Sequence, residues 1–122
     1  MKLHVDAVMA GRNLFTGYGE GYVVVNGARY QTSVIVLPDK IIPWPVAGFD
    51  SLGEADFALL EQLAVDIVLL GAGETQRFLH PRLTQRLGER GIGLDVMNTP
   101  AACRTFNILL AEERRVAAAL LW

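Results

Sequence analysis

A chain of 122 residues with 52% hydrophobic content is sized for a single domain burying about two thirds of its unfolded surface, with no room for a second. A net charge of -2 and a pI near 5.6 exclude a long-range pull toward nucleic acid or an anionic membrane, although nine of the eleven basic residues are arginine. The lone cysteine, Cys103, excludes an internal disulfide and the Cys/His sets of structural zinc, and fits a reducing compartment.

Met1 to Ala10 is interrupted by His4 and Asp6, so it lacks the apolar core of a secretory signal. No stretch reaches the ~20 apolar residues of a membrane span. The expected location is the cytoplasm, or an organelle matrix after removal of a leader.

Up to Trp44 the punctuation is of the β kind. Gly17, Gly19 and Gly21 break the chain, and Tyr22 to Val25 then meets Asn26-Gly27 and continues as Ala28 to Gln31. Asn-Gly between two such runs predicts a hairpin with a type I′ turn, which needs positive φ at both central residues. Ser33 to Leu37 is a β-branched run ending at Pro38-Asp39, and Lys40 to Trp44 returns until Pro45 stops it. The first third therefore reads as one antiparallel meander. Trp44, held between Pro43 and Pro45, reads as a core residue, with a contact surface as the alternative.

After Phe49 the period changes. Ser51 and Glu54 have capping-box spacing, and Phe57, Leu60, Leu63 and Ala64 recur at helical intervals, which predicts a helix over 51–64. Strand Asp66–Leu70 follows, then a helix opening at Pro81 behind His80, with Leu83 and Leu87 inward. Gly91 closes that helix before strand Ile92–Met97. Thr99 as N-cap and Pro100 as first helical residue start the longest helix, which carries Ala102, Cys103, Phe106, Leu109 and Leu110 on one face as far as Glu113. The unbroken apolar run from Val116 suits a strand buried on both faces. The sum is a three-layer α/β (α+β) domain, an antiparallel β-meander beside a mixed sheet built by βαβ crossovers, with about three helices.

Strand Asp66–Leu70 runs into Gly71-Ala72-Gly73-Glu74-Thr75-Gln76. Gly71-x-Gly73-x-x-Gln76 approaches the dinucleotide fingerprint, with Asp95 near the spacing of a ribose-binding acid. Three details oppose a nucleotide cofactor: Gln76 replaces the third glycine, the helix starts only near Pro81, and Asp95 lies inside a strand. Two readings remain, a loop whose glycines permit positive φ and a pocket wall at the carboxyl end of a strand. Asn98 and Thr99 end the neighbouring strand, so the long helix start faces the same sheet edge as an anion niche, with Arg104 as a charged donor, unless Thr99 merely caps the helix.

Cys103 in the first helical turn could be an activated thiol, but a small buried residue is the better reading, because only His4 and His80 exist as bases. Asp50, Glu54 and Asp56 read as an acidic cluster at a helix start, without a partner for metal. The candidate ligand-binding residues are therefore Gly71, Gly73, Glu74, Thr75, Gln76, Asn98, Thr99, Cys103, Arg104 and Asn107. No catalytic residue, metal or cofactor is assigned. The two function classes left are a soluble non-enzymatic protein acting through protein partners and a small protein or enzyme binding an anion or nucleotide.

Thr16-Gly17-Tyr18-Gly19, Val25-Asn26-Gly27, Ser33 to Pro38, Trp44, Gly71 to Gln76, Thr99, Ala101 to Asn107, Glu112-Glu113-Arg114 and Val116 to Leu120 together resemble an uncharacterised conserved family. It is related to the mitochondrial respiratory complex I assembly factor three. The last block is the most specific; Ala72, Asp95, Pro100 and Phe106 depart from the pattern, and Phe106 removes a tyrosine hydroxyl. The resemblance implies a three-layer fold, no established enzymatic activity and action through protein partners, in the mitochondrial matrix for the eukaryotic relatives.

Overall fold

The computed structural model describes residues 11–74 and 77–122. Three short strands, β1 (Phe15–Gly19), β2 (Tyr22–Val25) and β3 (Ala28–Tyr30), form a separate antiparallel sheet in that order. Asn26 and Gly27 both have positive φ, 50° and 84°, as a type I′ turn demands. Between Phe15 and Gly17 the β1–β2 register slips at a bulge.

Strands β4 (Val34–Val36) and β5 (Ile41–Pro43) do not continue that meander. They join a five-stranded sheet of order β5-β4-β8-β6-β7 with β6 (Ile67–Ala72), β7 (Gly93–Met97) and β8 (Val116–Leu121). The single predicted meander is thus two pieces in two sheets. Burial explains the split: Val34, Ile35 and Val36 are all buried and need a strand on each side, whereas Ala28 and Arg29 are exposed and suit a sheet edge. β8 is the middle strand, antiparallel to β4 and parallel to β6. All six of its residues are buried, as its unbroken apolar run predicts.

The period of two sorts the core into two layers. Val116, Ala118 and Leu120 face one side with Leu69, Val34 and Val36, under helix α3 (Thr99–Ala111) and the small sheet. Ala117, Ala119 and Leu121 face the other with Val68, Leu70 and Ile35. That side is covered by helices α1 (Glu54–Glu61) and α2 (Pro81–Glu89), and Trp44 is buried in it. The result is three layers around a mixed sheet.

Helix α1 is shorter than predicted. Ser51 ends a 3-10 turn over Phe49–Ser51 instead of capping the helix. Gly53 is the extended N-cap, and its amide donates to Asp56 Oδ2 at 2.9 Å, so the acidic partner of the capping arrangement is Asp56 rather than Glu54. Glu54 and Asp50 lie against Arg82 and Arg77 at 3.8 Å and 3.4 Å. Arg86 clamps Glu61 with two bonds of 2.9 Å and 3.1 Å, tying α2 to α1. These hydrogen bonds hold the Glu61 carboxyl below its ordinary range. His80 opens α2 as expected, its Nδ1 accepting from the Arg82 amide at 3.1 Å.

Candidate functional site

The chain leaves β6 through α2 on one face and reaches β8 through α3 on the other. The carboxyl ends of β6, β7 and β8 therefore meet at one sheet edge, where open α/β sheets hold ligands. Gly71, Gly73, Glu74, Asn98 and Thr99 all lie there. Thr75 and Gln76 lie outside the described residues.

The two segments close on each other. The Thr99 amide donates to the Gly73 carbonyl at 2.7 Å, and the Gly73 amide donates to Thr99 Oγ1 at 3.0 Å. Thr99 Oγ1 in turn donates to the Leu121 carbonyl at 3.5 Å. One buried hydroxyl thereby joins the ends of β6 and β8 to the first turn of α3.

Thr99 is accordingly the first residue of α3 and not its N-cap. The cap is Asn98, whose Oδ1 accepts from the Ala101 amide at 2.8 Å while its carbonyl accepts from Ala102 at 3.0 Å. Thr99 N–H is taken by Gly73, and Pro100 has none to give. The first-turn amides that an anion would need are all paired inside the chain.

Gly73 has φ +83°, a conformation that favours glycine. Gly71 serves a different purpose. A Cβ there would stand 2.7 Å from Leu120 Cδ2, 3.3 Å from Ala102 Cβ and 3.3 Å from the Thr99 Cα, so this glycine lets α3 approach β6. Asp95 is inside β7, and α2 starts at Pro81, ten residues past Gly71.

The remaining candidates lie elsewhere. Cys103, Arg104 and Asn107 line a cleft of about 450 Å³ between α3 and β1, completed by Phe15 to Tyr18 and Ile108. A second cleft of about 590 Å³ lies between the Tyr18 to Gly21 hairpin and Gly73, Glu74, Thr99, Pro100 and Trp122. Arg104 lines only the first, so the expected pairing of Arg104 with the helix-start niche is not what the fold makes.

Asn107 spans from helix to strand: its Nδ2 donates to the Phe15 carbonyl at 2.8 Å, and its Oδ1 accepts from the Phe15 amide at 3.0 Å. The carboxamide satisfies both backbone groups of one residue, as a neighbouring strand would. Beneath it the Phe15 and Phe106 rings meet edge to face, centroids 5.2 Å apart. Arg104 Nη1 donates to the Tyr18 hydroxyl at 2.9 Å.

Cys103 is buried, and burial pushes its thiol up to about 12 against an opposing pull from the Arg104 guanidinium. It is protonated at neutral pH and is not an activated nucleophile. The folded chain keeps a proton that the unfolded chain releases above about pH 8.5, so this group's stabilising contribution is lost as pH rises from there toward 12. The expected slope is about 1.4 kcal/mol per pH unit. Denaturant titrations of wild type and Cys103→Ala across that range should differ by this slope, and equal slopes would contradict it.

Among the described residues no helix is long and apolar enough to cross a membrane. Residues 15–121 match the family described as "Protein of unknown function (DUF498/DUF598)". The chain is 37% identical to an uncharacterised protein of Rhodobacter capsulatus, over 92% of this chain and 86% of that one. It is 35% identical to NADH dehydrogenase (ubiquinone) 1 alpha subcomplex assembly factor 3 of Bos taurus over 85% of its own length, and spans only 58% of that relative. A crystal structure of a Bordetella parapertussis protein superposes with a TM-score of 0.87 at 36% identity, covering 92% of this chain and 97% of that one. The folded unit described above, from β1 to β8, is thus the conserved domain itself, and the chain belongs to the DUF498/DUF598 family.

Proposed function

We propose that the protein is a non-enzymatic, assembly-factor-like protein that acts by binding protein partners during construction of an NADH dehydrogenase complex. The observation that carries this reading is the 35% identity to a named assembly factor across the folded domain. The chemistry of the chain supports it. Cys103 holds its proton, and the Nδ1 of His80, the only imidazole among the described residues, is already used to cap α2. Neither forms a nucleophile and base pair.

A small ligand at the carboxyl edge is the weaker reading. The buried Trp122 indole N–H has no acceptor among the described residues, but the core Trp44 shares that state, so it does not by itself call for a ligand. The paired amides of the α3 start and the Glu74 carboxylate on the cleft wall count against an anion there. A nucleotide finds no cradle of free amides at Gly71 and Gly73.

Deleting the gene in the organism that carries it should lower the amount of fully assembled NADH dehydrogenase on native gels, with accumulation of partial complexes. Assembly at the wild-type level would overturn the proposal.

A further inference from the structure

Of the three large apolar side chains that stand exposed among the described residues, Tyr18 at 41% and Ile108 at 59% flank the same cleft, the one between β1 and α3. That cleft is walled by Phe15, Gly17 and Cys103, and among the described residues no carboxylate lines it. Its one charge is Arg104. The ion-paired arginines, Arg77, Arg82, Arg86 and Arg115, each have a carboxylate within 4 Å. Arg104 instead bonds a neutral phenol through a single nitrogen, which leaves most of its five donors for another group.

The backbone adds a second feature. β1 is the outer strand of the small sheet, and no strand lies beyond it among the described residues. Asn107 covers the edge at Phe15 only. Gly19 and Tyr22 flank the two-residue turn as partners, and Tyr18 pairs with Val23 one step back, the register in which amide and carbonyl point away from the neighbouring strand. Tyr18 thus offers an edge to an incoming chain.

We propose that this cleft docks an extended segment of a partner protein, pairing along β1 at Tyr18, with a large apolar side chain seated against Ile108 and an adjacent carboxylate on Arg104. Exposed apolar surface sets the first requirement and the uncompensated guanidinium the second. The inference rests on the partner-binding reading above and names the surface and the chemistry of what it binds.

The test pans a random 12-residue peptide display library against the intact protein, then measures synthetic peptides by fluorescence anisotropy. The expected peptides carry a large apolar residue within two positions of Asp or Glu. Ile108→Glu should weaken them at least about tenfold, and Arg104→Gln about fivefold, in line with loss of a solvent-exposed ion pair. Changing the peptide acid to its amide should abolish the effect of Arg104→Gln. Both side chains are exposed, so each variant should melt with the wild type.

A basic or featureless consensus, or binding indifferent to Ile108→Glu, would overturn the proposal. So would a dimer in sedimentation that Ile108→Glu dissociates, since the occupant would then be a second copy. Nuclear Overhauser contacts between Ile108 and residues 1–10 in the free protein would overturn it as well. Failure here with the gene-deletion defect intact moves the binding surface elsewhere; peptide binding without that defect overturns the assembly role alone.

Discussion

Gly71→Val should destabilise the protein by about 3 kcal/mol or more, lowering its melting temperature by more than about 10 °C. The first added carbon would already sit 2.7 Å from Leu120 Cδ2 and 3.3 Å from the Thr99 Cα. Leu120 is fully buried, so turning its Cδ2 aside disturbs the core, and Thr99 presents backbone, so the larger valine side chain should push the start of α3 outward. Lifting it stretches the two Gly73 to Thr99 hydrogen bonds, each contributing about 1 kcal/mol. Gly71→Ala should lie between, at about 1–2 kcal/mol. The φ of Gly71 is not in the left-handed region, so the loss is one of space. Urea titrations of the three chains check the order, and a Gly71→Val midpoint equal to wild type would contradict close packing at this point.

The second large effect is expected at Asn107. Asn107→Leu keeps the branched four-atom shape of the side chain but strands the Phe15 amide and carbonyl, beside a side chain only 2% exposed. Unpartnered buried backbone groups cost about 1–3 kcal/mol each, so a total near 3 kcal/mol is expected, and amide exchange should accelerate in β1 before it does in β8. Asn107→Asp should recover part of the loss at low pH, where its protonated carboxyl can again donate to the Phe15 carbonyl. Uniform loss of protection across both sheets would mean that Asn107 does not hold the small sheet to α3.

What the sequence makes legible here follows the range of the interaction. The Asn26-Gly27 turn, the α2 start at Pro81 and the doubly buried β8 announce themselves within a few residues, because turn φ values, proline and apolar runs act locally. Helix α1 is less legible: Ser51-x-x-Glu54 has the spacing of a capping box, yet Gly53 with Asp56 forms the arrangement that the chain uses. Asn98 and Thr99 are both good caps with Pro100 following, and only the Gly73 contact decides which one turns inward.

The candidate site divides the same way. That Gly71, Gly73 and Thr99 share an edge follows from βαβ topology, but the Gly73–Thr99 hydrogen bonds join residues 26 apart and leave no local trace. The Asn107 clamp spans 92 residues. Cys103, Arg104 and Asn107 follow the helix start closely in sequence, which groups them with it, whereas the rotation of α3 turns them toward β1.

Whether the chain works bound to a partner is read most directly from its migration in native extracts of cells expressing it at its own level. Most of it should run far above its free mass of 13.4 kDa, in bands that also contain subunits of NADH dehydrogenase. Migration wholly at the mass of the free chain, with no shared band under any growth condition that builds the complex, would contradict a role in assembly.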